Sequence, residues 1–289
     1  MSTRRPARLW LGFLTSVVCL GIVVATPSAA SALVGQLAIK NVPYIQTAGT
    51  GDSYARASTE IGTTVYVGGT FSQVFEPLSG TNYARPDLFA YNETSKLVSP
   101  FAPSFNGQVW GLAHSPDGQY LYAAGNFSTV DGLARKGLVQ FDLSTGTVTA
   151  FNAHLDGQAR TVDYVGTHLI VGGAFAHVNG VSRVALASLD PTTGGLQSTY
   201  LNASLSGTVS STAGATAVLH SAVNPAGTQM AIAGNFTSAG GATHWRTFLL
   251  DLGATSASVS AWSAPILMTF PNHSRWFWKA TKRNAGLPI

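Results

Sequence analysis

A short glycine-containing sequence recurs four times in this chain, and its recurrence limits the folds that the chain can adopt. Each copy consists of a small residue, a glycine, a variable residue and a phenylalanine. The copies are Gly68-Gly69-Thr70-Phe71, Ala124-Gly125-Asn126-Phe127, Gly172-Gly173-Ala174-Phe175 and Ala233-Gly234-Asn235-Phe236. A period of roughly fifty residues is typical of repeat architectures in which each repeat is one supersecondary unit. The chain is therefore predicted to be a repeat protein.

Three further marks follow each copy in the same order. The first is an arginine, the second is an Asn or Asp near the end of an apolar run, and the third is an aromatic residue. The arginines are Arg85, Arg135, Arg183 and Arg246; the Asn and Asp residues are Asn92, Asp142, Asp190 and Asp251; the aromatic residues are Phe101, Phe151, Tyr200 and Trp262. Several marks that recur in one order indicate repetition of a whole structural unit.

The unit over residues 107–156 indicates what each repeat forms. Its four apolar runs have the length of β-strands, and turn sequences such as Ser115-Pro116-Asp117-Gly118 separate them. We expect the second run to be one strand over 120–130, and the fourth strand to cover 147–155 with Phe151 on it. Four short strands joined by tight turns predict a four-stranded antiparallel meander.

Repeated meanders of this kind are typical of β-propeller blades. The predicted fold class is all-β, a β-propeller with about four recognisable blades at residues 53–106, 107–156, 157–206 and 207–263. An incomplete ring stays open as an alternative, because four blades are the low end for closure. The repeated phenylalanines are predicted to pack between blades, where burying each ring contributes about 1.5–3 kcal/mol. Stacking of these rings on sugars is the alternative.

The two ends of the chain differ from the repeats. Residues 1–32 have a basic start, an apolar run and a small-residue site at Ala30-Ser31-Ala32, which predicts a signal peptide; the alternative is a retained membrane anchor. Residues 33–52 are interpreted as a polar lead-in. Residues 264–289 form a divergent tail that contains Arg275-Trp276-Phe277-Trp278-Lys279. We interpret the tail as a truncated or frame-shifted end, with contact to anionic membrane or wall polymers as the alternative.

Charge and cysteine content exclude several classes of function. The net charge is +4, but removal of Arg4, Arg5 and Arg8 leaves 13 basic against 12 acidic residues, so no nucleic-acid surface is predicted. The single cysteine, Cys19, lies in the predicted signal peptide, which excludes disulfides and thiol catalysis from the mature repeats. No stable membrane span is expected after signal removal.

No catalytic, cofactor-binding or metal-binding residues are assigned from the sequence. The seven histidines are scattered without a metal-ligand spacing. Among the aspartates of the repeats, only Asp87 and Asp163 have no turn or repeat role, and glycoside hydrolysis needs a pair of carboxylates held at a set distance. The sequence therefore favours a non-enzymatic protein without a cofactor, and a propeller-type glycan hydrolase or lyase is the alternative.

The repeated arginines are the candidate ligand site. If Arg85, Arg135, Arg183 and Arg246 project from equivalent places, they line one rim of the propeller. A ring of guanidinium groups binds carboxylated or sulfated glycans through paired hydrogen bonds. The structural alternative is that each arginine bonds an Asp or a carbonyl within its blade or the next one.

The repeats resemble those of a family of secreted bacterial β-propellers with a consensus of two apolar residues, Gly-Gly-x-Phe, Ser or Thr, x-Val-x-Gly, and then an arginine. The Val-Gly-Gly segment also resembles kelch repeats. The resemblance covers about residues 53–262. It implies an exported wheel of four-stranded blades and no single activity. We expect an exported binding or scaffold module, secreted or at the cell surface, whose partner is an extracellular glycan or protein. A fragment of a larger secreted protein, without independent activity, is a further alternative.

Overall fold

The computed structural model describes residues 41–46, 52–209 and 214–262. The predicted signal peptide 1–32 and the tail 264–289 lie outside these residues. Within them the chain is all-β, with antiparallel sheets and no helix. The predicted fold class is therefore confirmed at the level of antiparallel β-sheet.

Four main sheets follow one another along the chain, and we call them blades 1 to 4. Their strands are Tyr54–Ile61, Thr64–Thr70 and Leu88–Asn92 in blade 1; Val109–His114, Tyr120–Gly125, Leu138–Asp142 and Thr147–Val148 in blade 2; Gln158–Val165, His168–Ala174 and Leu186–Leu189 in blade 3; and Ala217–Val223, Gln229–Asn235, Thr247–Leu252 and Ala257–Val259 in blade 4. Blades 2 and 4 have the four strands that the sequence predicts. In blades 1 and 3 the fourth strand is one bridge, from Tyr91 to Val98 and from Leu189 to Leu196.

The last strand of blade 2 is shorter than predicted. It ends at Val148, so Phe151 lies beyond the strand and not on it. There the Phe151 ring packs edge-on against Tyr122, with 5.7 Å between the ring centroids. Phe151 therefore packs in the core next to the sheet and takes no part in the pairing of the strands.

A small hairpin separates the second and third strands of every blade. These hairpins are Gln73–Glu76 with Thr81–Ala84, Thr129–Val130 with Leu133–Ala134, His177–Val178 with Val181–Ser182, and Ser238–Ala239 with Ala242–Thr243. The prediction of a single strand over 120–130 is wrong, because the main strand ends at Gly125. In blade 1 a strand of the lead-in, Tyr44–Gln46, pairs with the hairpin, and in blade 4 Leu205–Ser206 does the same.

Each first strand carries a β-bulge at the same place. The pairing with the second strand shifts at one residue in every blade, and the bulged residues are Arg56, Trp110, Arg160 and Leu219. The glycine of the recurring sequence lies across from the bulge. A Cβ atom on Gly173 would overlap the carbonyl oxygen of Gln158, and the equivalent glycines of the other blades meet the same obstacle. The repeated glycine is thus required by close approach of two backbones.

The repeated phenylalanines are buried, as predicted. Phe71, Phe127, Phe175 and Phe236 each expose 4% or less of their surface. Phe127 belongs to a cluster that also contains Tyr66 and Leu88 of blade 1. Phe175 and Phe236 lie in clusters that join blades 2 and 3 and blades 3 and 4. Phe127, Phe175 and Phe236 therefore contribute to adhesion between successive blades, whereas Phe71 packs in a cluster of blade 1 and lead-in residues. The burial of all four rings confirms core packing over an exposed sugar-stacking role.

Substitution of Gly173 by alanine tests the close approach. We expect Gly173→Ala to lower the free energy of unfolding by about 3 kcal/mol, because the new methyl group forces the first and second strands of blade 3 apart. The measurement is urea denaturation of the full chain. Gly180→Ala is the matched control: Gly180 has a φ of 76° and open space around its Cβ position, so the control costs only about 1 kcal/mol of backbone strain. Equal effects of the two substitutions would contradict the close-approach argument.

Candidate functional site

The first strands of the four blades line one cavity of about 520 Å³, which we call the axial cavity. Its lining residues are 56–57, 110–112, 160–163 and 219–221. All four bulged residues are among them, because a bulge turns its extra side chain out of the regular alternation of the strand. The same backbone irregularity in every blade thus supplies one side chain to a shared site.

Two of these side chains are arginines that contact the same indole ring. The guanidinium carbon of Arg160 lies 4.5 Å from the ring centroid of Trp110, and that of Arg56 lies 5.8 Å away. Arg56 also lies over the ring of Tyr54 and donates a hydrogen bond of 3.1 Å to its hydroxyl. The Trp110 indole N–H donates to Oε1 of Gln108 at 2.9 Å. Cation–π contacts therefore hold both guanidinium groups at the wall of the cavity.

The electrostatic environment of the cavity is positive. Within the part of the chain that the structure describes, no carboxylate lies within 4.0 Å of the guanidinium group of Arg56 or Arg160. Burial lowers the pKa of Arg160, and the nearby charge of Arg56 lowers it further. Burial is also the main cause that lowers the pKa of His220, and the positive charges of Arg160 and then Arg56 lower it further. His220 is an exposed residue, but it lies on the concave wall of the cavity. Neighbouring protein atoms there replace part of the water around its ring, which disfavours the charged form.

Asp163 lies in the same cavity and bonds across two blades. Its carboxylate accepts a hydrogen bond of 2.5 Å from the Ser221 hydroxyl of blade 4. Burial raises the pKa of Asp163, and the bond from Ser221 opposes that rise. The cavity lining contains no second carboxylate. The pair that glycoside hydrolysis requires is therefore not assembled in this cavity.

Asp87, the other unassigned carboxylate, is a turn-closing residue of blade 1. Its N–H donates to the carbonyl of Phe71 at 3.1 Å, and its carbonyl accepts from the N–H of Gly69 at 2.9 Å. The equivalent residues in blades 2 to 4 make the same two bonds, and all four have positive φ angles: Asp87 (62°), Gly137 (74°), Ala185 (63°) and Arg246 (64°). Asp87 is therefore part of the repeat scaffold, and it is not among the residues that line the axial cavity.

The four predicted rim arginines do not occupy equivalent places. Arg85, Arg135 and Arg183 each donate a backbone N–H to the carbonyl of the residue that follows the repeated phenylalanine, and in blade 4 His244 makes this bond. Arg246 lies two residues further on, at the turn-closing position, so its backbone position is not equivalent to that of the other three arginines. The spacing could have revealed this, because Arg135, Arg183 and His244 each come 8 residues after their phenylalanine.

The three equivalent arginines make bonds within their own repeats. Arg85 donates to the carbonyls of Ala84 and Ser99 at 3.0 and 3.4 Å. Arg135 donates to those of Ala134 and Thr149 at 2.9 and 2.8 Å. Arg183 donates to the side-chain oxygen of Asn202 at 2.5 Å. This arrangement is the structural alternative that the sequence left open. The role of these arginines as a ligand-binding rim stays a prediction.

Sequence reasoning did not single out Arg56, Trp110, Arg160 or Leu219. The bulge position carries arginine in blades 1 and 3, tryptophan in blade 2 and leucine in blade 4, so no single side-chain pattern marks it. The available signal was indirect, since the repeated glycine implies a backbone irregularity on the strand that faces it.

Two further properties concern the described residues as a whole. No group of three His, Cys, Asp or Glu side chains in them is placed to hold a metal ion. A search of the same residues for helices long and apolar enough to cross a membrane finds none.

Comparisons with known proteins bear on the class of fold. A family model described as "Rax2 C-terminal beta propeller domain" matches residues 88–221. A chain in the solved structure titled "Crystal Structure of Mitotic Checkpoint Complex" has 11% sequence identity and a TM-score of 0.41, over 74% of this chain and 65% of that chain. The present chain thus spans about two thirds of the length of that structural neighbour. No curated protein matches.

The family match and the antiparallel blades together support a β-propeller family for this chain. A β-propeller domain suggests a binding or scaffold module. The finer resemblance to secreted bacterial and kelch-like repeats stays a prediction.

Replacement of Asp87 by asparagine tests the cost of its buried carboxyl group. Burial raises the pKa of Asp87 from 3.8 to about 6. Because the folded pKa exceeds the unfolded one, stability falls as pH rises between these two values. We expect Asp87→Asn to raise the free energy of unfolding by about 1–2 kcal/mol at pH 7, after allowance for partial exposure. At about pH 3.5 most of the gain disappears, because Asp87 is then mostly protonated in both states. Urea denaturation at pH 7 and pH 3.5 measures the difference, and a gain of equal size at both values would contradict this explanation.

Replacement of Arg135 by glutamine tests the structural role of the repeated arginines. We expect a loss of about 1–2 kcal/mol in the free energy of unfolding, because the carbonyls of Ala134 and Thr149 lose charged donors. Lys136→Gln removes the same charge from an exposed neighbour and serves as the control. Thermal unfolding of both variants is the measurement. A loss no larger in Arg135→Gln than in the control would contradict the structural role.

Proposed function

We propose that this protein is an exported, non-enzymatic β-propeller that acts as a binding module outside the cell or at its surface, and that its ligand site is the axial cavity. The ligand is an extracellular glycan in this proposal. The observation that carries it is the convergence of Arg56, Trp110 and Arg160 in one cavity without a carboxylate beside either guanidinium. The predicted signal peptide supports export.

The axial cavity is a better candidate than the arginine rim. Arg85 and Arg135 donate to backbone carbonyls and thus have part of their hydrogen-bonding capacity filled. The guanidinium groups of the cavity contact aromatic rings, which leaves most of their N–H groups available. Ligand pockets commonly have volumes of roughly 300–1,000 Å³, and the axial cavity lies within that range.

A hydrolase or lyase is the alternative enzymatic function. It would use Asp163 and His220 as an acid and a base, since the two residues share the cavity. We favour binding because Asp163 has no second carboxylate beside it in the cavity lining and is already bonded to Ser221. In a third reading, the chain is a fragment of a larger secreted protein and this module is one part of it.

A substitution that fills the cavity without changing its charge tests the proposed site. Leu219 lines the cavity at the bulge of blade 4 and exposes 37% of its surface. Leu219→Trp fills space in the cavity without changing any charge. We expect the full chain to bind members of an array of extracellular glycans and cell-wall polymers, and the variant to lose at least about tenfold in affinity for them.

Leu133→Trp is the matched control, because Leu133 exposes 46% of its surface on a hairpin of blade 2. The control should bind like the unmodified chain. Unchanged binding by Leu219→Trp would contradict the axial cavity as the site. Chemical turnover of any bound glycan would contradict the non-enzymatic part of the proposal.

A further inference from the structure

We propose that the axial cavity recognises an anionic oxygen group, a carboxylate or a phosphate carried on a sugar, which binds between the guanidinium groups of Arg56 and Arg160. This inference rests on the proposed function, since it specifies the chemistry of the ligand that the cavity takes. It differs from the predicted rim, because neither arginine belongs to the set of repeated arginines that follow the glycine-phenylalanine sequence.

Trp110 positions the arginines instead of stacking on the ligand. The Arg160 guanidinium covers the indole at 4.5 Å, and Arg56 approaches the same ring at 5.8 Å. A guanidinium group that lies over an aromatic ring still presents its N–H groups along its edge. The stacked arrangement thus orients donors toward the cavity and reduces the entropy that the side chains lose when an anion binds.

The donors of this wall that a ligand can reach are the terminal guanidinium nitrogens of Arg56 and Arg160. Arg56 is exposed, and Arg160 is partly exposed. The hydroxyl group of Thr161 and the Nε atom of Arg160 have no hydrogen-bond partner among the described residues, but both atoms are fully buried and closed to a ligand. A wall whose accessible donors are charged N–H groups is suited to an acceptor-rich ligand such as an acidic sugar.

The charged neighbours of His220 predict how binding depends on pH. His220 shares the cavity with Arg56 from blade 1 and with Arg160 and Asp163 from blade 3, whereas the lining residues of blade 2 (Trp110, Gly111 and Leu112) are not ionisable. A bound anion offsets the two positive charges and favours proton uptake by His220. Protonation of Asp163 removes a negative charge near the ligand. Both events strengthen anion binding as pH falls.

Isothermal titration calorimetry of the full chain tests this inference with three probes: glucuronate, glucose 6-phosphate and glucose. Glucuronate carries a carboxylate, glucose 6-phosphate carries a phosphate, and glucose is the neutral reference. We expect at least one acidic sugar to bind at least about tenfold more tightly than glucose, and the comparison of the two acids identifies the preferred group. For glucuronate, whose carboxylate stays ionised over this range, we also expect tighter binding at pH 5 than at pH 8.

Substitutions of Arg56 and Arg160 test whether these two residues cause the tighter binding of acidic sugars. Arg56→Gln and Arg160→Gln should each weaken binding of the acidic sugar at least about tenfold and leave the affinity for glucose unchanged. Arg56 is exposed, so its variant provides a test even if Arg160→Gln fails to fold. Lys136→Gln removes an exposed positive charge outside the cavity and should leave binding unchanged. His220→Asn should reduce the difference in affinity between pH 5 and pH 8.

The outcomes of these experiments separate this inference from the proposed function. If glucose binds as tightly as both acidic sugars, or if neither Arg56→Gln nor Arg160→Gln weakens their binding, recognition of an anion is overturned. The axial cavity would still be the site if Leu219→Trp abolishes binding of the glycans found in the array. If Leu219→Trp leaves all binding unchanged, the proposed site itself is wrong. Failure of all three probes to bind would overturn the anion inference alone.

Discussion

The close approach of two backbones at one position of every blade determines the rest of this structure. The second strand passes so near the bulge of the first that only glycine is accommodated there, as the clash of a Cβ atom on Gly173 with the Gln158 carbonyl illustrates. The bulge in turn removes one residue from the alternating ladder and directs its side chain to the axial cavity. A feature that is required for strand pairing thus also builds the candidate binding site.

The residues that shape the backbone recur in every blade, whereas the side chains that line the cavity differ from blade to blade. The glycine, the buried phenylalanine and the turn-closing residue serve the backbone, and each blade needs all three. The bulged side chain is not constrained by the ladder, so it varies among arginine, tryptophan and leucine. Arg56 and Arg160 meet in the cavity although their blades are separated by blade 2. Their proximity is a consequence of the shared position on the blades and not of nearness in sequence.

The sequence predicted the all-β class, the succession of antiparallel sheets and the burial of the repeated phenylalanines, because strand runs, turns and the repeat period are local signals. It missed the hairpins between the second and third strands; in blades 2 to 4 their strands are only two residues long, which is below what periodicity can resolve. Arg246 was grouped with the other arginines by residue type, although His244 has the equivalent backbone bond. The cavity was missed because its residues share a backbone geometry and no common side-chain pattern.

A crystal structure of the protein is the most direct measurement of the central claim, which is that the bulges opposite the repeated glycines bring one side chain from each blade into a common cavity. The account predicts a register shift at Arg160 across from Gly173, with the Arg160 guanidinium on the ring of Trp110 and with Arg56 and Leu219 in the same cavity. An uninterrupted ladder between the first two strands of blade 3, with Arg160 directed away from Trp110, would contradict it.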